Sequence, residues 1–307
     1  GEDGRWRLRL SGTGDNATRQ EVTARAVVNA AGPWAGEVLG TLTHPPASRS
    51  APLRLVKGAH LVVPRLHDGP WAYLCPHTDG RVVFFLPFEE DFTLIGTTEM
   101  PWTGDPSRAT CSEAEETYLL DVAARFFRHP PARLAVVHRF AGVRALYDPA
   151  SSGRAHKDVS RDYHLSFTRT PAPLISVFGG KLTTYRPLAE RTLALLAPVF
   201  PGLKGNWTHT APLPGGALEG TREAFAARMQ TRYPWIPAPL LHRWCRLYGS
   251  DLPTLIGDAK QPADFGAEEA PGLFAREADY LRTHEFAHTL DDMRWRRTWL
   301  GLRGNAP

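Results

Sequence analysis

Apolar positions along the first 200 residues mostly recur at every second place, the period of a half-buried strand. From Arg5 to Leu10 charged and apolar residues alternate, with Trp6, Leu8 and Leu10 on one face. Gly12-Thr13-Gly14-Asp15-Asn16 reads as a turn. Glu21 to Val28 reads as a second strand that becomes fully apolar before Asn29-Ala30-Ala31-Gly32-Pro33-Trp34. Arg54–Val63, Arg81–Phe88 and Phe92–Gly96 are further strands, the last two joined by the polar turn Glu89-Glu90-Asp91. His138–Leu146 and Arg161–Phe167 are also strand-like, and Pro173–Val177 is apolar enough for a strand covered on both faces. Two helices interrupt this series. Ser112 with Glu115 forms a capping box before the apolar face Leu119, Leu120, Val122, Ala123, Phe126 and Phe127. Leu188–Leu196 has Pro187 in its first turn. After the break Pro201-Gly202-Leu203-Lys204-Gly205 and beyond Pro214-Gly215-Gly216, the spacing turns helical to about Gly301, which predicts a boundary between residues 201 and 216. The order of elements predicts an α/β architecture followed by an α domain.

Composition narrows the class. Of 307 residues, 42% are hydrophobic and 22% charged, enough for two domains with a sizeable core. No apolar run reaches the roughly 18–20 residues of a membrane span. Cys75, Cys111 and Cys245 lie too far apart in sequence for a disulfide framework or a metal site, so a reducing, cytoplasmic-side compartment is expected and no metal. The net charge of +4 is spread along the chain and gives no nucleic-acid footprint. Arg is used in preference to Lys, so Lys57 and Lys181, each beside a glycine, stand out as compact charges placed in Gly-containing turns.

The segment Val177-Phe178-Gly179-Gly180-Lys181-Leu182-Thr183-Thr184-Tyr185-Arg186-Pro187 joins a buried strand to a helix. A glycine pair there lets backbone approach a ligand closely, the helix N-terminus offers free N–H groups, and Lys181 adds a full positive charge. Such a place suits something flat, anionic or electron-accepting; a plain strand-to-helix turn has the same spacing. No strand–Gly-x-Gly-x-x-Gly–helix unit occurs, although a strand ending in Ala-Ala-Gly looks like the late part of a dinucleotide-binding domain. With no starting Met, the chain is expected to be the C-terminal portion of a longer protein.

Several stretches together resemble the FAD-dependent glycerol-3-phosphate dehydrogenases of the aerobic, respiratory type: residues 27–34, 54–60, 92–99, Gly142-Val143-Arg144, Arg161-Asp162-Tyr163, Phe178 to Arg186, Leu247-Tyr248-Gly249, residues 275–280 and residues 291–302. The resemblance implies the remainder of a glutathione-reductase-like FAD-binding domain in residues 1–35 and 146–200, a mixed-sheet substrate domain in 36–145, and an all-α domain in 207–307. It implies hydride transfer from C2 of sn-glycerol 3-phosphate to FAD, giving dihydroxyacetone phosphate, with electrons passed to quinone. It implies Arg144 and Arg161 as a phosphate clamp, His60 or Lys181 as the base, Lys181 also on the substrate, and Ala31, Gly32, Gly179, Gly180, Lys181, Leu182 and Thr183 beside the cofactor. Thr97 and Thr98 fall near the site, with plain β-propensity as the other reading. Peripheral contact with the cytoplasmic face of a membrane and a homodimer follow from the same resemblance. The arginines of residues 282–303 fit a solvated face, an intersubunit contact or a lipid surface. Two rival functions stay open: an oxidase that delivers electrons to oxygen, and a non-catalytic scaffold or membrane-docking piece. Lacking the Gly-rich pyrophosphate turn, the chain alone is expected to bind FAD poorly and to be inactive.

Overall fold

The computed structural model describes residues 3–12, 19–42, 53–148 and 162–305, and it falls into two compact units, Gly1–His209 and Thr210–Pro307. Among its described residues the first unit contains three sheets. Strands β1 (Trp6–Ser11) and β2 (Arg19–Ala24) pair antiparallel. The intervening turn expected at residues 12–16 lies largely outside the described residues. The single strand expected over Glu21–Val28 is two. After Ala24 the chain turns and re-enters as β3 (Val27–Asn29) in a different sheet, where it pairs parallel with β11 (Leu174–Phe178). Helix α1 (Ala35–Leu42) follows β3.

The largest sheet carries the candidate site. Its backbone is the twelve-residue β4 (Leu53–Pro64). On one side β4 pairs with β7 (Phe92–Gly96) and then β8 (Met100–Pro101). Beyond β7 lie β6 (Val82–Phe88) and β5 (Tyr73–Pro76). On its other side β4 pairs along nearly its whole length with β9 (His138–Tyr147). All these pairings are antiparallel, so residues facing each other across strands share a face of the sheet. One face, bearing Leu61, Val63, Val83, Phe85 and Ile95, packs on Leu119, Val122 and Ala123 of helix α2 (Glu113–Phe126). The expected capping box is present: the Ser112 hydroxyl accepts from the Glu115 amide, and Glu115 accepts from the Ser112 amide. The opposite face carries His60, Gly58, Gly96, Phe140, Gly142 and Arg144.

The third sheet is β10 (His164–Thr168), β11 and β3. Every residue of β11 is buried, as its unbroken apolar run requires. Strand β10 starts later than the sequence suggests, and Arg161 lies outside the described residues. Helix α3 (Tyr185–Leu196) follows β11 after a 3-10 turn, Leu182–Thr184, three residues earlier than its apolar periodicity indicates.

The second unit is helical, with α4 (Arg222–Arg232), α5 (Ala238–Tyr248), α6 (Leu252–Ile256) and α7 (Ala275–His284), plus the short hairpin β12 (Glu268–Ala270) and β13 (Leu273–Phe274). Trp244, Leu241, Leu252 and Phe265 centre its core. A buried ion pair joins α5 to α7: Arg243 donates to both Glu277 oxygens at 2.7 and 2.6 Å, and Tyr248 donates to Glu277 at 2.6 Å. Burial and the Glu277 charge push the Tyr248 phenol far up, so it stays a neutral donor.

Candidate active site

Three glycines give the open face of the large sheet its shape. Gly58 stands opposite Gly142, and Gly96 opposite His60. A Cβ at Gly58 would collide with the Thr97 hydroxyl and lie 3.0 Å from Arg144 Nη2. A Cβ at Gly96 would collide with the His60 ring. The missing side chains therefore let the Arg144 guanidinium lie across Gly58 and the His60 imidazole across Gly96. Glycine inside a strand marks such close approaches. Gly58 and His60 are two positions apart on β4, about 7 Å of strand.

His60 stacks on Phe140, with ring centroids 5.0 Å apart and planes 10° apart. Its Nδ1 is buried and finds no hydrogen-bond partner among the described residues. Burial first, and the positive charge of Arg144 second, lower its pKa to about 4. The imidazole is thus neutral at pH 7, a state that can accept a proton. It borders a cavity of about 130 Å³ lined by Phe84, Leu86, Leu94, Gly96 and Thr97. Arg144 is half-exposed. Its Nη2 donates to the Thr97 hydroxyl at 3.4 Å, and its Nη1 lies 3.8 Å from the Glu99 carboxylate. These two loose contacts orient the guanidinium and leave donors for an anion.

The glycine turn after β11 meets this face through β9. Gly179 and Gly180 have φ of 73° and 105°, where a side chain is strained. A Cβ at Gly179 would lie 3.1 Å from Asp162 O and 3.3 Å from the Tyr147 amide, at the end of β9. Arg144 is three residues back along that strand, about 10 Å. Because β3 and β11 are parallel neighbours, Ala31-Gly32 and Gly179-Gly180 leave the sheet at the same edge. Each then passes through a 3-10 turn into a helix, so two helix N-termini stand side by side at the carboxyl ends of parallel strands. Buried Asn29 sets the first of these turns: its Nδ2 donates to Ala35 O at 2.8 Å and its Oδ1 accepts from the Ala31 amide at 3.4 Å. The Thr184 hydroxyl closes the second by donating to Lys181 O at 3.0 Å. Lys181, Leu182 and Thr183 are exposed, Leu182 by 88%.

Lys57 belongs to none of this. The turn expected around it is the middle of β4. Its side chain points to the α2 face, where it donates to Glu115 Oε2 at 2.7 Å. Phe140, Glu99 and Asn29 are site neighbours that residue types alone do not reveal, whereas Thr97 stands beside Arg144, near the site as the resemblance implies. The glycines at 58, 96 and 142, unusual inside strands, were the available signal.

The sequence and the fold have known counterparts. A family model described as "FAD dependent oxidoreductase" matches residues 2–186. The chain belongs to the FAD-dependent oxidoreductase family. A second model, "C-terminal domain of alpha-glycerophosphate oxidase", matches residues 206–306, so this family member also carries that module. The chain is 41% identical to a glycerol-3-phosphate dehydrogenase of Pseudomonas aeruginosa over 97% of its own length and 58% of the relative's. It is 39% identical to the aerobic glycerol-3-phosphate dehydrogenase of Escherichia coli K12, covering 99% of this chain and 60% of that one. It is also 39% identical to D-erythritol 1-phosphate dehydrogenase of Brucella abortus, over 97% and 59%. A solved glycerol-3-phosphate dehydrogenase of Bacillus halodurans, complexed with FAD, superimposes with a TM-score of 0.73 at 26% identity, over 95% of this chain and 59% of that one. The chain thus spans about three fifths of the length of these relatives.

Proposed function

We propose that this chain contributes the substrate site of an enzyme that oxidises sn-glycerol 3-phosphate to dihydroxyacetone phosphate, with FAD as hydride acceptor. The observation that carries the reading is the placement of Arg144 over Gly58 beside a neutral, half-buried His60, on the sheet whose β9 ends at the Gly179 turn. The names of the relatives point the same way.

The residues fit such a cofactor. Positive φ at Gly32, Gly179 and Gly180 removes side chains from the edge where two helices begin, and apolar Leu182 stands uncovered there. Ala31, Gly32, Gly179, Gly180, Lys181, Leu182 and Thr183 would hold its reactive end. FAD, when bound, supplies the two-electron acceptor. The rest is the work of this chain. Arg144 takes the phosphate through charge-assisted hydrogen bonds. His60 accepts the proton of the C2 hydroxyl. Lys181 puts positive charge where negative charge develops as the carbonyl forms. Arg161 enters as a second phosphate ligand on the resemblance alone. In this reading residues 1–35 and 146–200 serve the cofactor, 36–145 the substrate, and 207–307 form the helical domain.

Quinone as electron acceptor, peripheral contact with the cytoplasmic face of a membrane, and a homodimer belong to the same reading. Among the described residues, no helix is long and apolar enough to cross a membrane. Exposed Phe286, near Arg294 and Arg296 in sequence, suits lipid-surface contact. The match to the oxidase C-terminal domain keeps oxygen as a rival acceptor, and turnover rates with oxygen and with a quinone analogue separate the two.

Anaerobic mixing of the full-length, FAD-loaded enzyme with sn-glycerol 3-phosphate or with glycerol tests the central reading. Rapid bleaching of the flavin by the phosphate ester alone is expected; no bleaching by either would overturn it. The erythritol-phosphate relative favours D-erythritol 1-phosphate as a second substrate, and the ratio of the two kcat/KM values decides between them.

A further inference from the structure

Beneath the site, on the α2 face of the sheet, runs a chain of buried polar groups. Lys57 Nζ donates to Glu115 Oε2 at 2.7 Å and to Thr110 O at 3.0 Å. Glu115 Oε2 also accepts from the Ser112 amide and hydroxyl at 2.9 and 2.6 Å. The other carboxylate oxygen, Oε1, accepts from the Thr98 hydroxyl at 2.8 Å, and that hydroxyl accepts from the Ala59 amide at 2.9 Å. Lys57, Thr98 and Glu115 are all buried. The chain of bonds ends on Ala59, the residue between Gly58 and His60.

Residues 97–99 need this tie. Strand β7 ends at Gly96 and β8 begins at Met100, so the three residues between belong to neither. Their backbone bond to β4, from the Thr98 amide to Ala59 O, is long at 3.4 Å. Yet these residues carry both partners of Arg144: the Thr97 hydroxyl on one side of Thr98, and the Glu99 carboxylate on the other. The Thr97 hydroxyl also donates to Thr98 O at 3.0 Å. Thr98 turns its own side chain the opposite way, through the sheet to Glu115.

We propose that Thr98, held by Glu115, is a positioning residue for Arg144. Its hydroxyl fixes the bend at residues 97–99 against β4, and so keeps Thr97 and Glu99 where they hold the guanidinium over Gly58. The inference rests on Arg144 as the phosphate ligand.

The test is a double-mutant cycle in the FAD-loaded holoenzyme: Thr98→Val, Arg144→Ala, the pair together, and Thr98→Ser. KM for sn-glycerol 3-phosphate and Kd for inorganic phosphate are read for each. Thr98→Val is expected to raise both by about tenfold, with kcat changed less. Thr98→Ser, which keeps the hydroxyl, should stay near the parent. The double variant should be no worse than Arg144→Ala alone, because Thr98 acts through Arg144. If Thr98→Val does not fold, Thr98→Ala removes the same hydroxyl without setting a methyl against Glu115. Full additivity in the cycle, or unchanged KM and Kd in a merely less stable Thr98→Val, overturns the proposal while leaving Arg144 as the ligand. Unchanged KM and Kd in Arg144→Ala instead removes the phosphate-ligand reading, and this inference with it.

Discussion

Arg144 Nη2 would lie 3.0 Å from a Cβ placed on Gly58, so the guanidinium occupies the space that any other residue at position 58 would take. That relationship makes a backbone glycine part of the site. Gly142, directly across on β9, has nothing within 4 Å of the corresponding position.

The two glycines should therefore respond differently to the same change. Gly58→Ala displaces Arg144 and Thr97 and is expected to raise KM for sn-glycerol 3-phosphate roughly tenfold or more, the loss of one or two charge-assisted hydrogen bonds. Gly142→Ala is expected to leave KM unchanged and stability within about 1 kcal/mol of the parent. Steady-state kinetics and thermal melts of the pair check this.

His60 carries a pH signature. Its folded pKa, about 4, lies below the ordinary 6.5, so the unfolded chain binds the extra proton first as pH falls. The stability tied to neutral His60 is complete above about pH 6.5 and is lost as pH drops toward 4, in total on the order of 3 kcal/mol. His60→Gln should flatten that part of the stability–pH curve. Arg144→Gln should raise the His60 pKa only part of the way to 6.5, because burial is the larger cause. Imidazole NMR titration reads both effects.

Beneath the sheet, Lys57 and Glu115 are a buried pair. Burial pushes the Glu115 carboxyl up, but hydrogen bonds from Lys57, Ser112 and Thr98 outweigh it and hold the group below the usual carboxylate range. Lys57→Met alone leaves that carboxylate without its cation and is expected to cost about 3–5 kcal/mol. Lys57→Met with Glu115→Leu should be milder than the single change, as measured by denaturant unfolding.

Gly179→Ala forces a side chain into φ 73° and against the backbone of Asp162 and Tyr147. A loss of about 1–2 kcal/mol from the backbone alone is expected, together with weaker retention of FAD. Flavin content after gel filtration, compared with that of the parent, checks the second effect.

Local signals were legible in the sequence and long-range ones were not. The strand over residues 53–64, the capping box at Ser112 and Glu115, and the glycine turn after β11 each follow from neighbouring residues. The break between β2 and β3 has no Gly or Pro to announce it. What defines β3 is its partner β11, far along the chain. Lys57 looked like a turn residue because Gly58 follows it, whereas that glycine serves Arg144 on the opposite face. His60 and Arg144 rest on the resemblance; that His60 stands opposite Phe140 and Arg144 opposite Val56, with its guanidinium reaching over Gly58, depends on register, which only the folded sheet sets.

The rate of flavin bleaching by saturating sn-glycerol 3-phosphate, compared between the parent holoenzyme and His60→Asn in anaerobic stopped flow, tests the central claim most directly. Asn keeps a polar group of similar reach but cannot take the proton. The rate should fall by about 10²–10⁴-fold with FAD content unchanged. A parent-like rate in His60→Asn would contradict the assignment of this face of the sheet as the place where the substrate is deprotonated.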